Sequence, residues 1–140
     1  MNNKASPRKR IRRLIKNWAV PVGCGLLFLF LLNSIFFIGY VPTASMEPVI
    51  REDSFIIGTR VYAELQRGDV IVFMREGSLL VKRIAGMPGD IVIVGDDILV
   101  VPGGCYFVLG DNPEDSFDSR QWDDPFVSFG CVIARVLTVK

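Results

Sequence analysis

The sequence predicts a mainly β protein, with one N-terminal transmembrane helix followed by a mostly antiparallel β domain. Three observations predict this. A 23-residue apolar stretch, Trp18 to Tyr40, follows a basic N-terminus. Beyond it come short segments rich in Val, Ile, Phe and Tyr, punctuated by Gly, Pro, Asn and Asp. No long 3.6-residue periodicity recurs after the apolar stretch.

In chain order, the expected divisions are a basic cytoplasmic tail over 1–16, a transmembrane anchor over 17–40 and an extracytoplasmic β domain over 41–140. Residues 1–40 carry seven basic side chains and no acidic one, whereas the remainder carries nine basic against fifteen acidic, a net of −6. Basic residues directly before an apolar span stay in the cytoplasm and send the following domain across the membrane. The first dozen residues are expected to form a disordered tail. As a helix, Trp18–Tyr40 would be about 34 Å long, enough to cross a hydrocarbon core. Its terminal rings suit the two interfaces. A cleaved secretory signal is the rival reading, because Thr43-Ala44-Ser45 places small residues just beyond the stretch. The stretch is longer than the usual apolar region of a signal, which favours the anchor. Pro21, Asn33 and Ser34 weaken the span.

In the β domain, strands are expected at Ser54–Val61, Asp69–Glu76, Leu79–Ala85, Asp90–Val94, Ile98–Val101, Cys105–Leu109 and Phe129–Val139. Glu76-Gly77-Ser78 and Gly95-Asp96-Asp97 read as hairpin turns.

Composition excludes several chemistries. There is no histidine, so Ser-His-Asp and Cys-His arrangements are absent, as are most zinc and haem sites. The three cysteines, Cys24, Cys105 and Cys131, form no CxxC pair. No metal and no cofactor is expected. Cys105 and Cys131 flank Asp118 symmetrically, and an exported domain permits either a disulfide or two buried thiols there. Cys24 is expected only to pack within the anchor.

Three segments stand out from a plain β scaffold. Pro42-Thr43-Ala44-Ser45-Met46-Glu47-Pro48 holds small residues between prolines, which suits an accessible hydroxyl and free backbone N–H groups. An ordinary linker accounts for it as well. In Leu79–Asp90, strand alternation puts Lys82 on one face with Leu80 and Ile84, and Arg83 on the other with Val81. Apolar neighbours desolvate an ammonium and lower its pKa, and a neutral amine can take a proton from a serine, as Ser-Lys pairs do. A strand lysine more often runs its stem along apolar surface and leaves its charge in water. The third, Gly110–Arg120, is rich in turn formers and acceptors, and reads alone as a polar surface turn.

Taken together and in order, these segments resemble the characteristic boxes of bacterial type I signal peptidases. Ser45-Met46-Glu47-Pro48 is similar to the nucleophile box, and Arg67-Gly68-Asp69-Val70-Ile71-Val72-Phe73 to the strand box that follows. Lys82-Arg83-Ile84-Ala85-Gly86-Met87-Pro88-Gly89-Asp90 is similar to the base box. Gly110-Asp111-Asn112 with Ser116, Asp118, Ser119 and Arg120 is similar to the last box.

The resemblance implies a coiled, mostly antiparallel β fold and a Ser-Lys endopeptidase. Ser45 would be the nucleophile and Lys82 the general base. The Ser45 backbone N–H and the Thr43 hydroxyl would form the oxyanion hole. Ser116 would orient the Lys82 amine, with Asp118 and Arg120 in support. Val41 and Val81 would line shallow pockets for small residues, giving cleavage after Ala-x-Ala. The implied partners are signal peptides of exported preproteins, membrane lipids and the neighbourhood of the export translocon, but no nucleic acid. The implied location is the bacterial cell membrane, single-pass, with the N-terminus cytoplasmic. Phe36, Phe37 and Tyr40 are expected at the membrane boundary, and Trp122 and Phe126 either there or in the core.

Two departures from the family pattern stand out. Val49 occupies a position where threonine usually follows the proline of the nucleophile box. Only 19 residues separate Asp90 from Gly110, where larger members insert a second domain. A conjugation-type pilin maturation peptidase is the nearest alternative. Self-cleaving repressors also use Ser and Lys, but the anchor argues against them. A membrane-tethered β domain that binds peptides or lipids without catalysis is the alternative of a different class.

Overall fold

A computed structural model describes the backbone of residues 7–137 and the side chains of 17–137. The chain divides into a helical unit ending at Ile35 and a β unit starting at Phe36.

Helix α1 runs Pro7–Ile35, with Pro21 inside it. Its 19 residues Asn17–Ile35 are long and apolar enough to cross a membrane. Both ends differ from expectation. The helix begins at Pro7, a residue well suited to a first helical turn, so residues 7–12 are helical where a disordered tail is expected; residues 1–6 lie outside those described. At the other end it stops at Ile35 rather than Tyr40, because Phe36–Val41 forms strand β1 (FFIGYV). Aromatic and β-branched residues there alternate faces and pair antiparallel with Ser54–Thr59 (β2), from Phe36↔Thr59 to Val41↔Ser54.

The remaining strands are β3 (Val70–Arg75), β4 (Ser78–Gly86), β5 (Ile91–Val94), β6 (Asp97–Val100), β7 (Cys105–Leu109), β8 (Phe126–Ser128) and β9 (Val132–Val136). Seven form one sheet in the order β1-β2-β9-β3-β4-β7-β8, and β5-β6 form a separate hairpin. Every pairing is antiparallel. The β3–β4 turn is Glu76-Gly77, both with positive φ (49° and 80°), the signature of a two-residue primed turn. Gly95 (φ 61°) opens the β5–β6 turn.

Most expected strands lie in place, but the C-terminal one does not. Phe129–Cys131 is a 3₁₀ turn and β9 starts at Val132. The short β8 before it escapes a pattern search because three residues carry no periodicity. This turn also decides the cysteines. Cys105 lies opposite Ser128 in the β7–β8 register, while Cys131 leaves the ladder in the turn, and all three cysteines are free thiols.

The domain has two hydrophobic clusters, and β3 is buried on both faces between them. Val70 and Val72 enter one cluster with Met46, Ile50 and Ile56; Ile71 and Phe73 enter the other with Ile84 and Trp122. Trp122 is core, its ring 6.2 Å from Phe73 and capped by the Arg75 guanidinium at 4.2 Å. Phe37 is buried as well, and Phe126 is half-buried on β8. Phe36, Ile38, Tyr40, Phe55 and Ile57, by contrast, are exposed, and register puts Ile38 opposite Ile57 and Tyr40 opposite Phe55 on one face of the β1–β2 hairpin.

Candidate active site

Ser45 lies in a single 3₁₀ turn, Ala44–Met46, directly after β1. Met46, wholly buried, pins the turn into the first cluster, and Ile50 N–H donates to Met46 O at 2.8 Å. Backbone N–H groups in the first turn of a helix have no partner within it, which leaves the Ser45 amide available to a ligand. Thr43 Oγ1 is 3.4 Å from Ser45 Oγ.

Lys82 sits mid-β4, and the burial pattern follows the expected alternation. Lys82 and Ile84 are buried while Val81 and Arg83 are half-exposed. Its Nζ donates to Ser116 Oγ at 3.0 Å, and Ser116 Oγ donates to Asp118 Oδ2 at 2.7 Å. Asp118 is fully buried and also accepts from Gly110 N–H at 2.9 Å. Arg120 grips it with two side-chain bonds, Nε to Oδ1 at 2.9 Å and Nη2 to Oδ2 at 2.8 Å.

The electrostatics follow from this geometry. Burial pushes the Lys82 amine below its ordinary range; Asp118 opposes the shift and Arg120 adds to it. For Asp118, burial pushes upward, but Arg120 and the hydrogen bonds from Gly110 and Ser116 outweigh it and bring the carboxyl to about 2. Asp118 is therefore a fixed anion paired with Arg120, and Lys82 is biased toward the neutral amine. One N–H of that amine engages Ser116, which orients the lone pair.

Ser45, Thr43, Val41, Val81 and Lys82 line one cavity of about 330 Å³. Ser116, Asp118 and Arg120 form the hydrogen-bond chain behind it. All eight residues singled out from sequence thus converge.

Gly110, Asp111 and Asn112 of the last box also belong to the site, with roles that the sequence does not specify. Gly110 separates Ser116 from the turn that carries Ser45, and a Cβ added there would lie 2.5 Å from both Ser116 Cβ and the Ser45 carbonyl oxygen. Asn112 ties the two segments together: its N–H donates to Ser45 O at 3.0 Å and its side chain to Ala44 O at 3.3 Å. Asp111 binds Arg83 through two bonds of 2.7 and 2.6 Å, holding β4 against the same loop. Only the Gly-Asp-Asn box itself signals them.

The chain matches the family model described as signal peptidase, peptidase S26, over residues 14–103 and 96–139. It belongs to that family of peptidases. A protein named Signal peptidase I from Bacillus amyloliquefaciens is 29% identical, over 76% of this chain and 77% of its own length. Signal peptidase I S of Bacillus subtilis (strain 168) is also 29% identical, over 78% and 80%. A probable signal peptidase I-2 from Synechocystis sp. is 29% identical over 59% of this chain and 54% of its own.

Proposed function

We propose that this protein is a membrane-anchored endopeptidase that removes signal peptides, with Ser45 as nucleophile and Lys82 as general base. The observation that carries this reading is the buried chain Lys82–Ser116–Asp118, which opens on the same cavity as Ser45. Neutral Lys82 takes the Ser45 proton as Oγ attacks the scissile carbonyl. The tetrahedral oxyanion is held by the Ser45 N–H and the Thr43 hydroxyl. Lys82 then protonates the leaving amine; it next deprotonates the water that attacks the acyl-enzyme and returns that proton to Ser45 Oγ as the Oγ–acyl bond breaks.

Open strand edges support binding of an extended substrate. β1 ends the sheet order, and β7 pairs with β4 only at Arg83, Ile84 and Gly86, so among the described residues no strand pairs with Leu79–Lys82 on that side. An extended peptide can add there by β-augmentation, with alternate side chains directed at Val41 and Val81. Both valines line the cavity beside Ser45, which supports cleavage after Ala-x-Ala.

The apolar α1 supports the anchor reading, with the N-terminus cytoplasmic and the β unit that starts at Phe36 outside. The exposed hairpin face of Phe36, Ile38, Tyr40, Phe55 and Ile57 supports contact with lipid near the site of export. Cleavage of a fluorogenic Ala-x-Ala peptide by the full chain, lost in Ser45→Ala, tests the function. Binding without cleavage by the wild type would instead favour a non-catalytic peptide-binding domain.

A further inference from the structure

Asp115 and Phe117 also line the cavity, outside the hydrogen-bond chain behind it. Burial alternates along the last box: Ser116 and Asp118 point inward, while Asp115 and Phe117 are exposed and line the cavity. Phe117 is 68% exposed and belongs to neither hydrophobic cluster. The side-chain bond to Asp115 is a neutral one, Asn112 Nδ2 donating to its Oδ2 at 3.0 Å. Among the described residues no cation neutralises it. Arg83 is engaged by Asp111, and Arg120 by Asp118. Lys82, the cation lining the same cavity, donates to Ser116.

We propose that Asp115 and Phe117 form a substrate subsite for a basic side chain, Lys or Arg, close to the scissile bond. A ring and a carboxylate two residues apart on one wall match the two parts of such a side chain. The aliphatic stem packs on the Phe117 ring and the cationic head meets Asp115. The subsite rests on the Ser45–Lys82 reading, because both occupy one cavity.

The test compares kcat/KM of the full chain for matched Ala-x-Ala peptides carrying Lys, Arg, Gln or Glu at each position flanking the cleavage site. Lys and Arg should exceed Glu by about tenfold at one position, the sum of a partly exposed ion pair and a ring contact. Added salt should shrink the gap. The ratio should fall toward one in Asp115→Asn and reverse in Asp115→Lys. A wild-type profile indifferent to charge, or a Lys preference that survives undiminished in Asp115→Asn, overturns the subsite while leaving the Ser45–Lys82 reading intact. Failure of the wild type to cut any peptide overturns both.

Discussion

Gly110 and Ser116 lie so close that no side chain fits between them, and the Ser45 carbonyl oxygen closes the gap from the other side. Gly110→Ala must displace either the Ser116 hydroxyl bonded to Lys82 or the turn that carries Ser45. A misplacement of about 1 Å costs roughly a hundredfold in rate. Peptide kinetics should show that loss in kcat, with circular dichroism of the folded domain unchanged; wild-type kcat would refute the crowding argument.

Ser116 couples Lys82 to Asp118. Ser116→Ala removes both bonds and frees the amine to rotate, so kcat should fall about tenfold to a hundredfold. Ser116→Thr keeps the hydroxyl and should recover part of the loss. Equal activity of the two variants would show that the hydroxyl does not matter.

The proposed general base, Lys82, acts only as the neutral amine. Its amine is held below the ordinary lysine range, chiefly by burial. The rate should therefore rise with pH on a single-proton limb centred below that range. Lys82→Arg should be inactive, since guanidinium does not deprotonate in this role. The same burial has a stability consequence. Between the depressed folded value and the ordinary unfolded value the unfolded chain binds more protons, so the lysine's cost falls as pH rises through that window and is fully present below it. Lys82→Met should raise Tm at neutral pH while abolishing cleavage. A lower Tm in that variant would argue against a desolvation cost.

For Asp118 the sign is opposite. Its folded pKa is about 2, below the usual 3.8. The carboxylate then contributes stability above about pH 4 that is lost as pH falls toward 2. Asp118→Asn removes this contribution. Acid unfolding followed by tryptophan fluorescence should show a shallower dependence on pH across that window, and an unaltered slope would exclude Asp118 as its source.

Thr43 offers its hydroxyl 3.4 Å from Ser45 Oγ. In the proposed oxyanion hole, loss of one donor costs roughly 3–4 kcal/mol in the transition state. Thr43→Val should be slowed about a hundredfold to a thousandfold yet stay above Ser45→Ala, with KM nearly unchanged. A change confined to KM would assign the hydroxyl to substrate binding instead.

The sequence by itself determined the apolar helix, the strand-rich domain and the alternation that buries Lys82, because each is a local pattern carried by neighbouring residues. The absence of histidine narrowed the possible bases, and the ordered boxes pointed to Ser45, Lys82 and Ser116. Tertiary structure decided the rest. Helix α1 ends at Ile35 because β1 finds a partner in β2, a pairing invisible to an apolar count. Cys131 leaves the ladder through a turn whose three residues carry no period. The roles of Gly110, Asn112 and Asp111 depend on segments far apart in sequence meeting around one serine, so only their three-dimensional contacts reveal them. Asp115 and Phe117 looked like an ordinary polar turn until burial of Ser116 and Asp118 on the other side turned them toward the cavity.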